Sequence, residues 1–71
     1  MNEIQQRIIA IRLRHDKSDF AYRMTETYLQ ECEDVGRLKN RLTHEQIVDV
    51  NDEIFKLTDG RIGAISRVSK K

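Results

Sequence analysis

The sequence predicts an all-α protein, either a helical hairpin or a three-helix unit with a long central helix, that we expect to form a dimer. Three observations predict the class. Apolar residues recur every three or four positions in three separate segments, which is the spacing of one helix face. The chain has no proline and only three glycines, so few residues interrupt a helix. It also lacks the alternating runs of β-branched and aromatic residues that build sheets.

The expected dimer follows from the size of the chain. It has 71 residues, of which 38% are hydrophobic and 35% charged. Domains this small bury only about 60% of their unfolded surface, and most add a disulfide, a metal or a partner subunit. The chain has one cysteine, Cys32, so no intrachain disulfide can form, and His15, Cys32 and His44 lack the spacing of zinc ligands. A partner subunit is the remaining source of stability.

The first element is a helix predicted over residues 2–15. Its apolar stripe has spacings of three, four and three and consists of Met1, Ile4, Ile8 and Ile11. Asn2 and Gln5 have the spacing of a capping box. The polar stretch 15–19 follows, where Asp16 or Ser18 can cap a new helix and the stripe changes register. The chain either turns there or continues as one helix through a stammer.

The second element is a helix predicted over residues 19–41, with apolar residues at heptad positions a and d. We expect this seam to mediate self-association through Met24, Tyr28, Val35, Leu38 and Leu42. Cys32 is expected at the edge of the seam as a small apolar residue. Gly36 marks a close helix crossing, a kink or a tolerated weak position.

The third element is a helix predicted over residues 44–58. Thr43 and Gln46 have the spacing of a capping box, and Gly60 suits the left-handed end of a helix. Its apolar stripe consists of Ile47, Val50, Ile54 and Leu57. Residues 1–59 are therefore predicted to form one helical domain. Residues 60–71 form a basic tail or a short fourth helix.

No constellation of catalytic or metal-binding residues is apparent in the sequence. His15 and His44 lie in polar surroundings and are expected to be solvated. Acidic neighbours surround Cys32 and disfavour a reactive thiolate. The carboxylates of residues 43–59 follow the polar face of their helix. We therefore expect no enzyme, cofactor, metal or small-molecule substrate.

The leading functional hypothesis is a protein–protein interaction or regulatory module that acts through amphipathic helical faces. The alternative is a small nucleic-acid-binding regulator. Its candidate contacts are the basic residues of the C-terminal segment, Arg61, Arg67, Lys70 and Lys71. Residues 43–68 can also be drawn as a helix-turn-helix outline.

Charge and hydropathy suggest where the protein acts. No apolar run approaches the about 20 residues of a membrane-spanning helix, and the N-terminus does not resemble a signal peptide. The cytoplasm is therefore the expected compartment, with no membrane partner.

Net charge is +1, but acidic and basic residues alternate in blocks. These blocks either form a solvated surface or pair within a hairpin or across a dimer.

Overall fold

The structure is a computed structural model and describes residues 1–62. It confirms the all-α class: these residues form four helices and no strand. The helices are α1 (Glu3–Lys17), α2 (Phe20–Arg23), α3 (Glu26–Lys39) and α4 (His44–Thr58). The predicted basic tail or short fourth helix lies almost entirely outside the described residues.

Side-chain caps fix where the two 15-residue helices begin. The Asn2 side chain accepts from the Gln5 backbone N–H at 2.9 Å, and the Gln5 side chain accepts from the Asn2 N–H at 2.9 Å. Thr43 and Gln46 form the same reciprocal pair at the start of α4, with distances of 3.2 and 2.9 Å. Both predicted capping boxes are present, and α4 has the bounds that its pattern predicts. Each box satisfies two N–H groups that a helix start leaves without partners.

The chain turns after α1, so the turn predicted over residues 15–19 is correct and the continuous helix through a stammer is wrong. Lys17 is the last residue of α1, and the Ser18 hydroxyl donates to the His15 carbonyl at 2.8 Å. Asp19 then caps α2 by accepting from the Tyr22 N–H at 2.8 Å. The cap predicted at Asp16 or Ser18 was therefore placed one to three residues too early.

The predicted long helix over residues 19–41 is divided into α2 and α3. Thr25 causes the division. Its hydroxyl accepts from the Tyr28 N–H at 3.2 Å and donates to the Tyr22 carbonyl at 2.7 Å. One side chain therefore ends the first helix and caps the second. Gly36 lies within α3, where an added Cβ would meet no neighbouring atom within 4 Å, so it marks neither a close crossing nor a break.

The hydrophobic core forms where α1 packs against both α3 and α4, while α2 packs on α3. The central helix of the bundle is therefore α1 and not the 19–41 segment. Its stripe contributes Ile8, which is fully buried, and Ile11. The buried apolar residues of the core are Ile8, Ile11, Val35, Leu42, Ile47, Val50 and Ile54.

Two buried polar residues complete the packing of α1 and α4. Gln5 is 4% exposed, and its amide donates to the Gln46 carbonyl at 3.2 Å, so it joins the first turns of both helices. Thr58 is fully buried, and its hydroxyl donates to the Ile54 carbonyl at 2.7 Å. Both groups therefore enter the interior with a hydrogen-bond partner, as buried polar groups must.

We expect Val50→Ala to lower the free energy of unfolding by about 2 kcal/mol, because it leaves a cavity in the core. Val48→Ala is the matched control in the same helix. Val50 is fully buried, whereas Val48 is 42% exposed, so the control should change stability by only about 0.5 kcal/mol or less. The gain in helix propensity is shared by both variants and cancels in the comparison. Urea unfolding followed by circular dichroism measures the difference, and equal stability of the two variants would contradict this packing.

Candidate protein-interaction surfaces

A polar cluster joins α1, α2 and α3. Its centre is Glu31, which accepts from the guanidinium of Arg14, from the Tyr22 hydroxyl at 2.8 Å and from His15 Nε2 at 3.0 Å. The His15 ring also packs on Tyr28, with ring centroids 4.5 Å apart. His15 is 6% exposed, so the expectation that it is solvated was wrong. We call Arg14, His15, Tyr22, Tyr28 and Glu31 the polar cluster.

The hydrogen bonds of the polar cluster set the ionisation of Glu31. Burial raises the pKa of Glu31, but the hydrogen bonds from Tyr22, Arg14 and His15 together outweigh burial. The pKa of Glu31 therefore lies below the usual carboxyl value. In return, the hydrogen bond to Glu31 raises the pKa of Arg14 and that of Tyr22. Glu31 consequently carries its negative charge at neutral pH, where it accepts from donors on two other helices.

A histidine beside a carboxylate can serve as an oriented general base, and His15 and Glu31 form such a pair. The second ring nitrogen, His15 Nδ1, is buried and has no hydrogen-bond partner within residues 1–62. A buried nitrogen does not reach a substrate in solvent. The nearby Ser18 hydroxyl donates to a backbone carbonyl, and Cys32 is exposed rather than at the edge of an apolar seam. We assign the polar cluster to holding the helices together.

An apolar groove runs between α1 and α4. It encloses about 440 Å³ and remains open to solvent. Met1 and Leu57 belong to its lining and are 54% and 51% exposed. We call this surface the apolar groove; it is lined by Met1, Gln6, Ile9, Ala10, Leu13, Glu53 and Leu57.

A second groove lies between the first half of α1 and the end of α3. It encloses about 720 Å³, and Ile4 and Leu38 form its apolar part. Arg37 pairs with Asp34 at 2.6 Å. Arg7 and Arg41 have no ion-pair partner within residues 1–62. We call this surface the basic groove; it is lined by Glu3, Ile4, Gln6, Arg7, Asp34, Arg37, Leu38 and Arg41.

The five residues predicted for a self-association seam do not share one exposed surface. Val35 and Leu42 lie in the core, and Leu38 packs partly against it. Tyr28 belongs to the polar cluster, and only Met24 is well exposed, at 70%. The seam was inferred from a single long helix, whereas the structure divides that segment and buries Val35 and Leu42 in the core.

The structure describes one of the four candidate nucleic-acid contacts. Arg61 donates to both carboxylate oxygens of Asp16, at 2.9 and 3.4 Å, and so ties the end of α4 to the end of α1. The hydrogen bond from Arg61 lowers the pKa of Asp16, so this carboxylate is charged and engaged. Arg67, Lys70 and Lys71 lie outside the described residues.

The basic groove was not predicted from the sequence, although one signal for it was present. Arg37, Lys39 and Arg41 form a run of basic residues between two acidic blocks. The participation of Arg7, which is more than 25 positions away along the chain, depends on how α1 packs on α3. The sequence contains a partial signal for the apolar groove, because Ile9 and Leu13 make the apolar stripe of α1 wider than one helix contact can cover.

The fold and these surfaces define a small all-α protein with two open grooves beside α1. Within residues 1–62, no helix has the length and apolar character needed to span a membrane. In the same residues, no group of three or more histidine, cysteine or acidic side chains is placed to hold a metal ion. No protein-family model, curated protein or solved structure matches the chain.

We expect acid to unfold the protein partly through Glu31. Because its pKa is lower in the folded state than in the unfolded state, its contribution is complete above about pH 4.3, the usual glutamate value, and is lost as the pH falls through the folded pKa. Glu31→Gln should cost about 1–3 kcal/mol at neutral pH, since charge-assisted hydrogen bonds are lost. Its free energy of unfolding, measured with urea, should also fall less steeply than that of the unsubstituted protein as the pH is lowered from neutral.

Glu33→Gln is the matched control, because Glu33 is an exposed neighbour in the same helix. This variant should keep both the stability of the unsubstituted protein and its loss of stability in acid. If Glu31→Gln lost stability in acid as steeply as the control does, Glu31 would not govern acid unfolding.

Proposed function

We propose that the protein is a non-enzymatic interaction module that binds an amphipathic helix of another protein in the apolar groove. The observation that carries this proposal is the groove itself, whose lining residues Met1 and Leu57 are more than half exposed. Large apolar side chains left in solvent at one concave site are typical of a surface that a partner covers.

The lining of the apolar groove favours a helix over nucleic acid. Both long walls are helices, and a third helix can lie between them with apolar residues at positions i, i+3 or i+4, and i+7 directed inward. Glu53 is the charged residue in the lining, and its carboxylate repels phosphates and favours a basic residue on the partner. The alternative function as a nucleic-acid-binding regulator is weakened because Arg61 is paired with Asp16.

Ala10→Arg provides a direct test, because Ala10 is an exposed helical residue within the groove. Arginine is a good helix former, so the substitution should fill the groove without unfolding α1. Ala21→Arg is the matched control: it makes the same change at an exposed alanine outside both grooves. Circular dichroism of both variants checks that they fold.

In affinity capture from lysate of the native host, the unsubstituted chain and Ala21→Arg should retain the same partner protein. Ala10→Arg should retain at least about tenfold less, as expected when a central contact in a groove is blocked. The proposal is wrong if no protein is retained by the unsubstituted chain in excess of Ala10→Arg, or if the retained material is nucleic acid and disappears after nuclease treatment.

A further inference from the structure

The outward face of α4 combines negative charge with two apolar side chains. Its members lie on one side of the helix and are all exposed: Glu45, Val48, Asp49, Asp52 and Phe55. Val48 and Phe55 are 42% and 64% exposed and stand seven residues apart, so they lie on one line along the helix. We call this surface the acidic face. Lys56, in the last turn, follows Asp52 by four residues and lies on the same side of the helix.

The carboxylates of the acidic face have no ion-pair partner inside the described part of the chain. Within residues 1–62, the ion pairs involve the acids Asp16, Glu31 and Asp34, and none involves Glu45, Asp49 or Asp52. Because the whole face is exposed, no other helix of these residues covers it. Val48 and Phe55 are the large apolar residues that it leaves in solvent, which makes it a candidate for burial against another molecule.

The basic groove has the complementary composition. Ile4 and Leu38 supply its apolar part, and Arg7 and Arg41 supply positive charges without ion-pair partners in the described part of the chain. A helix that offers two apolar residues flanked by carboxylates matches this groove in both respects. The acidic face of α4 is such a helix.

We propose that a second copy of this chain lays the acidic face of its α4 in the basic groove. The groove and the face are different surfaces, so the contact is heterologous and each copy has one donor surface and one acceptor surface. This proposal is independent of the apolar groove and replaces the predicted heptad seam as the route to self-association.

A protein helix fits the basic groove better than nucleic acid does. Nucleic acid would leave Ile4 and Leu38 without apolar contacts, because phosphate backbones are recognised by charge and hydrogen bonding.

Sedimentation equilibrium of the purified full chain, from micromolar to millimolar concentration at low salt, provides the test. The weight-average mass should rise above the monomer value of 8.4 kDa with increasing concentration, and should rise less at high salt. Two charge-reversed variants separate the surfaces: Arg7→Glu with Arg41→Glu in the basic groove, and Asp49→Lys with Asp52→Lys on the acidic face. All four positions are exposed, so both variants should fold.

Each variant alone should associate at least about tenfold more weakly, because its groove and its face now carry charges of the same sign. An equimolar mixture of the two should recover association. The changed groove of one variant meets the changed face of the other with opposite charge, and the two unchanged surfaces meet as they do in the unsubstituted chain. Glu26→Lys with Glu33→Lys is the control, because it reverses two exposed acids outside both surfaces and should leave association intact.

Three results would overturn the proposal. One is an unsubstituted chain that remains monomeric at millimolar concentration and low salt. Another is association that persists in both variants or is not recovered in their mixture. The third is a monomer that binds duplex DNA through Arg7 and Arg41, which would assign the basic groove to nucleic acid.

Discussion

The structure depends on the burial of one stripe of α1 against two other helices at once. Ile8 is completely buried and Ile11 is 4% exposed, and both α3 and α4 pack on this helix. The seven residues of the core come from these helices and from Leu42 in the turn that follows α3. With so few buried apolar residues, each one contributes a large share of a stability that is marginal in any small domain. The polar contacts then fix the geometry around this stripe: Gln5 joins the starts of α1 and α4, and Glu31 joins α3 to the end of α1.

The features that depend on near neighbours in the sequence were predictable. A capping box needs a hydroxyl or amide side chain and a glutamine three residues later, so Asn2 with Gln5 and Thr43 with Gln46 indicate their own helix starts. The apolar spacing of residues 47–54 likewise determines which face of α4 is buried. At the end of α4, Gly60 adopts φ of 75°, a left-handed conformation that glycine adopts without strain, as predicted.

The features that depend on tertiary packing were not predictable. Ala21, Met24 and Tyr28 fit a heptad pattern whether the helix is continuous or divided, and the hydroxyl of Thr25 decides between these alternatives by bonding to both sides of the break. His15 lies in a polar stretch of the sequence, which predicts an exposed side chain. The residues that bury it, Tyr28 and Glu31, belong to the separate helix α3, so local sequence does not indicate the burial. The candidate site shows the same limit: the arginines of residues 36–42 are visible as a block, but their position beside Arg7 requires the contact of α1 with α3.

The alternating charge blocks of the sequence correspond to separate surfaces of the fold. The basic block 36–42 forms one side of the basic groove, and the acidic block 43–59 supplies the outward face of α4. These blocks are adjacent in the chain, yet within residues 1–62 no ion pair joins them. The reason is geometric: the apolar stripe of α4 must face α1, so its carboxylates point away from the groove that α1 forms with α3. Burying the stripe therefore separates opposite charges that an extended chain would keep close. That separation leaves two surfaces of opposite sign that no ion pair within residues 1–62 joins, and each surface attracts molecules or solvent ions of the other charge.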